Sequence, residues 1–130
     1  MTKYYFGFTA FVLLAGCIFR SVTNLDLVGT YETMLPDGGR EILELKSDGV
    51  CGQKIALKAG GIFMAQGSWK YDNEYITLKK IHLSVDVEGN INPRISQISV
   101  GMIVLPVGRD LAGKVIIGSI EGTYYERMRK

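Results

Sequence analysis

The chain has 130 residues, of which 47% are hydrophobic, 22% charged and 10% aromatic; such values are typical of one globular domain and exclude a disordered chain or a polytopic membrane protein. The chain has fifteen Lys and Arg residues and thirteen Asp and Glu residues. Positive and negative residues alternate along the sequence, so no nucleic-acid partner is expected. One His and two Cys are too few for a Cys/His zinc site or a disulfide framework, and the sequence predicts no metal and no cofactor.

The N-terminal residues have the anatomy of a secretory signal peptide. Lys3 precedes an apolar run from Tyr4 to Leu14, and the small residues Ala15 and Gly16 follow. The run is shorter than the roughly 20 apolar residues that a helix needs to cross a bilayer. We therefore expect cleavage rather than a lasting transmembrane anchor.

The segment Leu14-Ala15-Gly16-Cys17 resembles the lipobox of bacterial lipoproteins. In that family a diacylglycerol is attached to the Cys thiol, and a peptidase cuts immediately before this residue. The resemblance implies a signal peptide over 1–16 and a lipidated N-terminus at Cys17. Several acyl chains, at about 0.8 kcal/mol per buried methylene, give durable membrane attachment. An ordinary cleaved signal with an incidental Cys is the alternative.

The residue after Cys17 bears on the location within the bacterial envelope. Ile18 stands where lipoproteins retained at the inner membrane of enteric-type bacteria usually carry Asp. The resemblance therefore favours the outer membrane, on its periplasmic or surface side, in a host with two membranes. Residues 17–24 show no strong pattern and are interpreted as a tether that holds the domain 25–130 close to the membrane.

Beyond Asn24 the apolar residues recur with a period of two between Gly, Asn and Asp turns, which predicts short antiparallel strands. Gly67 is expected at a bulge or at a close approach of two backbones. The strand 75–79 either continues or bends into 81–87, and Pro106 is expected to end the strand before it. In chain order the predicted strands are 27–32, 41–46, 50–57, 62–71, 75–79, 95–105, 114–119 and 123–129.

About eight strands separated by regular turns predict an all-β fold, a single small antiparallel β-barrel. A barrel is favoured over a sandwich because closure removes exposed strand edges. The triplet Gly-Thr-Tyr occurs at 29–31 and again at 122–124, which suggests that the first and last strands pair.

The triplet Gly29-Thr30-Tyr31 and Arg127 resemble features of the lipocalin-like group of small barrels. In that group the first strand carries Gly-x-Trp and a basic residue of the last strand caps the Trp ring; here Tyr31 stands at the Trp position. The resemblance covers 25–130 and implies a barrel that binds a small apolar ligand. It also implies a cation–π contact between Tyr31 and Arg127, worth about 0.5–2 kcal/mol.

Ligand cavities have apolar walls with a few polar tips, whereas the interiors of small barrels are by default filled with side chains. The sequence leaves both arrangements open. The candidate ligand-binding residues are apolar or aromatic residues of the predicted strands: Leu43, Leu45, Trp69, Ile76, Leu78, Val85 and Val100.

The sequence indicates a protein that is not an enzyme. His82 is the only histidine and is interpreted as a surface or hydrogen-bonded barrel residue, since a catalytic base also needs a neighbouring nucleophile or substrate pocket. Cys51 is interpreted as a small buried apolar residue, with a reactive thiol as the alternative. The carboxylate pairs Glu41 with Glu44 and Asp72 with Glu74 are assigned to polar faces and turns.

A second function class stays open: a protein-interaction module, such as an inhibitor or immunity protein, or an accessory of an envelope assembly. An exposed apolar or aromatic patch would identify it, because large exposed patches mark partner sites. The loops around Pro36-Asp37-Gly38 and Asn92-Pro93-Arg94 are the expected places.

Overall fold

Eight strands form a closed antiparallel barrel in which each strand pairs with its neighbours in the chain and the last pairs with the first. The computed structural model describes residues 22–118 and 124–128. A short helix, α1 (Asn24–Leu27), precedes the barrel. The strands are β1 (Gly29–Met34), β2 (Arg40–Leu45), β3 (Val50–Ala56), β4 (Ile62–Asp72), β5 (Tyr75–Lys79), β6 (Met102–Arg109), β7 (Val115–Gly118) and β8 (Tyr124–Arg127). The predicted all-β barrel of eight strands is confirmed.

Alternating burial along the strands separates the interior of the barrel from its surface. In β2, residues Glu41, Leu43 and Leu45 are buried, while Arg40 and Glu44 are exposed, as expected when successive side chains point to opposite faces. The predicted Asp48-Gly49 turn joins β2 to β3, and Gly49 has a φ of 85°, a value that glycine adopts without steric cost.

Helix α1 closes one end of the barrel. Thr23 caps the helix, with its backbone N–H donating to Asp26 Oδ2 at 2.9 Å and its hydroxyl accepting from Asp26 N at 3.4 Å. The Tyr31 hydroxyl donates to the carbonyl of Leu27 at 2.7 Å. Arg127 donates to the Tyr31 hydroxyl at 2.8 Å and to the carbonyl of Asp26. This end is called the closed end below.

The predicted contact between Tyr31 and Arg127 is confirmed. The two residues are register partners where β1 pairs with β8, and Arg127 Cζ lies 5.3 Å from the centre of the Tyr31 ring. The predicted pairing of the first and last strands is therefore confirmed too. The second Gly-Thr-Tyr triplet lies mostly in residues 119–123, outside the described part of the chain, as do the signal peptide 1–16 and Cys17.

The start of the domain differs from the prediction. Val22 packs against the main core, Thr23 caps α1, and Leu27 ends this helix instead of beginning a strand. The capping box accounts for this difference, because the Thr23 and Asp26 side chains satisfy backbone donors that would otherwise lack partners. Residues 22–24 therefore belong to the folded domain and not to a tether. Among the described residues, no helical stretch has the length and apolar character needed to cross a membrane.

The connection between β5 and β6 also differs from the prediction. Strand β5 ends at Lys79, and Lys80 follows with a φ of 62°, which turns the chain away from the strand direction. Residues 80–101, called the 80–101 segment below, contain two isolated bridges, His82 with Ile98 and Val85 with Ile91. The predicted strands 81–87 and 95–105 are therefore wrong. Only the last four residues of the second prediction lie in a strand, because β6 begins at Met102.

Pro106 lies inside β6 instead of ending it. Tyr75 of β5 is its register partner, whereas β7 pairs with β6 only from Val107 to Arg109. The Val107 N–H points towards β5, where it donates to Glu74 O at 2.9 Å. Because N–H directions alternate along a strand, an N–H at position 106 would point towards β7. Pro106 has no register partner in β7, so its lack of an N–H removes no hydrogen bond of the sheet.

The predicted close approach at Gly67 is confirmed, since a Cβ at this position would overlap the carbonyl oxygen of Lys79. A main core fills the half of the barrel next to α1, which is called the closed half below. This core includes Tyr31, Leu43, Trp69 and Ile117. A smaller cluster of Leu35, Ile55 and Ile95 attaches the 80–101 segment to the barrel. Among the described residues, the buried members of both clusters lie between Leu27 and Tyr125.

Candidate functional site

A cavity of about 560 Å³ occupies the end of the barrel opposite to α1. Its volume lies within the roughly 300–1,000 Å³ of small-molecule sites. The exposed residues Met34, Pro36 and Glu88 lie at its rim. Its wall combines residues of the strands with residues of the 80–101 segment: Thr33, Leu35, Glu41, Leu78, Ile81, His82, Leu83, Ser84, Val85, Gly89, Ile103, Leu105 and Tyr125.

A buried carboxyl group lies in this mostly apolar wall. Glu41 is 1% exposed, and its Oε1 accepts a hydrogen bond from Ser84 Oγ at 2.5 Å. Its Oε2 accepts from Gln53 Nε2 at 2.9 Å, and the Tyr125 hydroxyl adjoins the same carboxyl. The polar groups of the cavity are therefore gathered around one carboxyl group.

Burial changes the protonation of this group and its neighbour. Desolvation raises the pKa of Glu41, although the hydrogen bonds from Ser84, Gln53 and Tyr125 and the charge of His82 lower it in part. Burial, followed by the negative charge of Glu41, raises the pKa of Tyr125 well above its ordinary value. Tyr125 is thus a neutral hydroxyl in the cavity wall, and Glu41 holds its proton more tightly than an exposed carboxyl does.

Gln53 connects the barrel wall to the 80–101 segment. Its Oε1 accepts from the backbone N–H of His82 at 2.7 Å, and its Nε2 donates to the carbonyl of His82 at 2.8 Å. The ring nitrogens of His82 lie 3.2 and 3.3 Å from the carbonyl oxygens of Gln97 and Met64. The prediction that His82 is a hydrogen-bonded barrel residue is confirmed. These hydrogen bonds of His82 hold the 80–101 segment in place over the cavity.

The predicted ligand-binding residues are distributed over three parts of the structure. Leu78 and Val85 lie in the cavity wall. Four other predicted residues pack in the main core, between the cavity and the closed end: Leu43, Leu45, Trp69 and Ile76. The prediction needs correction for Val100, whose side chain is fully exposed. Its predicted interior position depended on the strand 95–105, whereas the strand begins only at Met102 and Val100 lies in the connection before it.

Glu41 is the main residue that the sequence interpretation missed, since it was assigned with Glu44 to a polar face. Glu44 is indeed exposed, and its Oε1 lies 3.9 Å from Lys46 Nζ. The side chain of Glu41, by contrast, faces the interior of the barrel. The alternation of side chains along the strand could have identified its inward position. Glu41, Leu43 and Leu45 are two residues apart from one another in turn, so their side chains lie on the same face of the strand. Ser84 was missed because the segment 81–87 was interpreted as a strand.

Cys51 is fully buried in the main core, as predicted, and carries a free thiol. Burial raises the pKa of this thiol, so the thiolate, which is the nucleophilic form, is disfavoured. Within residues 22–118 and 124–128, no group of three or more His, Cys, Asp or Glu side chains is placed to hold a metal ion.

Neither a protein-family model nor a curated protein matches this chain. Among solved structures, the chain is similar to a lipocalin-like protein from Bacteroides uniformis, with a TM-score of 0.47 and 15% sequence identity. This similarity covers 79% of the present chain and 99% of the other. The strand pairing of the present chain itself establishes a closed up-and-down antiparallel β-barrel.

Proposed function

We propose that this protein is a non-catalytic bacterial envelope lipoprotein whose barrel binds a small apolar ligand. The observation that supports ligand binding is the cavity of about 560 Å³, with apolar walls and a few polar groups around Glu41. This combination is the usual composition of small-molecule sites, in which apolar surface supplies affinity and a few polar groups fix orientation.

The hydrogen bonds around the cavity favour binding over catalysis. The Ser84 hydroxyl donates to a buried carboxyl, and the His82 ring is directed to backbone carbonyls. Glu41, Ser84 and Gln53 act as attachments of the 80–101 segment to the barrel.

Attachment through lipid on Cys17 would orient the barrel on the membrane. Residues 18–21 separate Cys17 from Val22, so the Cα atoms of these two residues can lie at most about 18 Å apart when the chain is extended. Val22 precedes α1 at the closed end, so the closed end would face the membrane. The mouth of the cavity would then face away from the lipid surface, on the periplasmic or surface side of the outer membrane.

Filling the cavity tests the ligand-binding function. Ile103 lies in the cavity wall, whereas Val104, its neighbour in β6, is half exposed on the outer surface. Ile103→Trp should abolish binding of the neutral fluorophore N-phenyl-1-naphthylamine, and Val104→Trp, the matched control, should preserve it. Residues 17–130 with Cys17→Ser contain both core clusters and can be studied without detergent.

The titration would be followed by probe fluorescence, with folding of each variant checked by circular dichroism. The proposed function requires saturable binding by the parent protein and its loss in Ile103→Trp alone. Equal binding by all three proteins would place the probe outside the cavity, and an absence of binding by the parent protein would contradict the ligand-binding role.

A protein-interaction role is the second candidate, and a specific surface favours it. Residues Met102 and Val104 of β6 are exposed, and the register places them beside Lys79 and Thr77 of β5. The other exposed apolar residues around this face are Tyr75, Ile98 and Val100. The patch lies on a strand face and the end of the 80–101 segment, not on the loops where the sequence interpretation expected it.

This alternative predicts that an envelope protein purifies with the lipidated chain and is lost in Met102→Lys combined with Val104→Lys. Met64→Lys, a change at an exposed residue of β4, is the matched control and should retain the partner. Retention of the same partner by all variants would contradict an interface at this patch.

A further inference from the structure

We infer that the ligand of this barrel carries a protonated amine, which is held by Glu41 at the wall of the cavity. The inference rests on the ligand-binding function proposed above and names the chemical class of the ligand, an apolar body with one ammonium group.

The charges of the cavity favour a cation over an anion. Glu41 lies in the wall and Glu88 at the rim, and the described wall residues include neither Lys nor Arg. His82 is the one basic side chain of the wall, and its ring nitrogens face the carbonyl oxygens of Gln97 and Met64. The described wall thus has no Lys or Arg to pair with a ligand carboxylate.

The polar atoms around Glu41 match the hydrogen-bonding needs of an ammonium group. An ammonium has three N–H donors and no acceptor, so it needs oxygen acceptors on the protein. The Glu41 carboxyl is joined to the Ser84 hydroxyl at 2.5 Å, and the Tyr125 hydroxyl adjoins it. Both hydroxyls can donate to Glu41 while their oxygens accept from a ligand, so the three side chains offer acceptors to one ammonium group.

The position of the carboxyl explains how such a ligand would be selected. In the interior, where the effective dielectric constant is lower than in water, an ammonium attracts a carboxylate more strongly than at the surface. A ligand carboxylate would be repelled by ionised Glu41, and an alcohol would gain a hydrogen bond but no charge pairing. Leu83, Val85 and Leu105 of the same wall would contact the apolar body.

The test compares ligands that differ only in their head group. Octylamine, octanol and octanoate would be titrated by calorimetry, near neutral pH and below their aggregation concentrations, into residues 17–130 with Cys17→Ser. We expect octylamine to bind at least about tenfold more tightly than either octanol or octanoate, because a buried like-charge contact is strongly unfavourable and a neutral head lacks the ion pair.

Two variants assign the preference to a residue. Glu41→Gln should remove the preference for octylamine over octanol, while Glu44→Gln should keep it, since Glu44 lies on the outer face of the same strand. The parent protein alone already decides the question of ligand class if Glu41→Gln does not fold.

The possible results separate this inference from the proposed function. Octanol or octanoate binding as tightly as octylamine, or an unchanged amine preference in folded Glu41→Gln, would overturn the amine inference and leave ligand binding intact. Failure of all three ligands and of the naphthyl probe to bind would overturn both.

Discussion

The side-chain amide of Gln53 hydrogen-bonds to both the N–H and the C=O of His82, at 2.7 and 2.8 Å. The amide thus pairs with the 80–101 segment in the way that one strand pairs with another. A segment without a neighbouring strand would otherwise bury unpaired backbone groups. This pair of bonds fixes the position of Ser84, two residues further along, at the Glu41 carboxyl.

We predict that Gln53→Leu lowers the free energy of unfolding by at least about 2 kcal/mol, because each buried polar group left without a partner costs roughly 1–3 kcal/mol. Urea denaturation measures this change. The control is Gln66→Leu, at an exposed position of β4, where a change within about 0.5 kcal/mol is expected. Equal effects of the two substitutions would show that the bonds to His82 contribute nothing specific.

A double-mutant cycle tests the contact between Tyr31 and Arg127. Tyr31→Leu and Arg127→Met should be non-additive, with a coupling of about 2 kcal/mol, as for a cation–π contact shielded from water. The exposed ion pair of Glu32 and Arg40, 3.3 Å apart, provides a comparison with an expected coupling of about 0.2–1 kcal/mol. Additive effects at Tyr31 and Arg127 would show that their contact does not stabilise the closed end.

The buried carboxyl of Glu41 predicts a specific pH dependence of stability. Because burial raises the pKa of Glu41 in the folded state, the folded protein keeps this proton at pH values where the unfolded chain has released it. The contribution of Glu41 to the free energy of unfolding should therefore decrease as pH rises from about 4.5, the ordinary glutamate pKa, through the raised pKa, and then level off.

Glu41→Gln should remove this decrease, and Glu44→Gln should retain it. The measurement is urea unfolding at a series of pH values, with the slope of stability against pH compared among the three proteins. Identical slopes for the parent protein and Glu41→Gln would contradict the assignment of a raised pKa to Glu41.

The resemblance of residues 14–17 to a lipobox predicts membrane attachment through Cys17. If Cys17 is lipidated, expression of Cys17→Ala in a bacterium should move the protein out of the membrane fraction and leave its N-terminus without acyl groups, because no lipid can be attached without the thiol. Cys51→Ala is the matched control and should leave the fractionation unchanged, since Cys51 is buried in the barrel. Fractionation followed by mass spectrometry of the N-terminal peptide measures both effects. Unchanged acylation in Cys17→Ala would contradict the assignment.

Local patterns were sufficient to predict most of the barrel. Alternating apolar residues identified β2, and the Asp48-Gly49 pair located the turn that follows it. The close approach at Gly67 was also predictable, because a glycine within a strand often marks a place where a side chain would collide with another backbone. Inward placement of Glu41 followed from the same alternation, but its charge suggested a solvent-exposed face.

The 80–101 segment was mispredicted because its conformation depends on partners distant in the chain. His82 and Ser84 are buried by hydrogen bonds to Gln53 and Glu41, which lie 29 and 43 residues earlier. Its apolar residues, such as Val85 and Val100, alternate with polar ones in the manner of a strand. One of these valines lies in the cavity wall and the other on the surface, and the period of the sequence does not distinguish them.

The sequence by itself determined that this chain forms an all-β barrel, and it predicts a lipobox at the N-terminus. These properties depend on the order of neighbouring residues: side-chain alternation, turn chemistry and a short motif. Only the tertiary structure decided that the closed half of the barrel is filled, that a cavity remains at the other end, and that Glu41 lies in its wall. Such features depend on how side chains from distant strands share one enclosed volume and satisfy one another's hydrogen bonds.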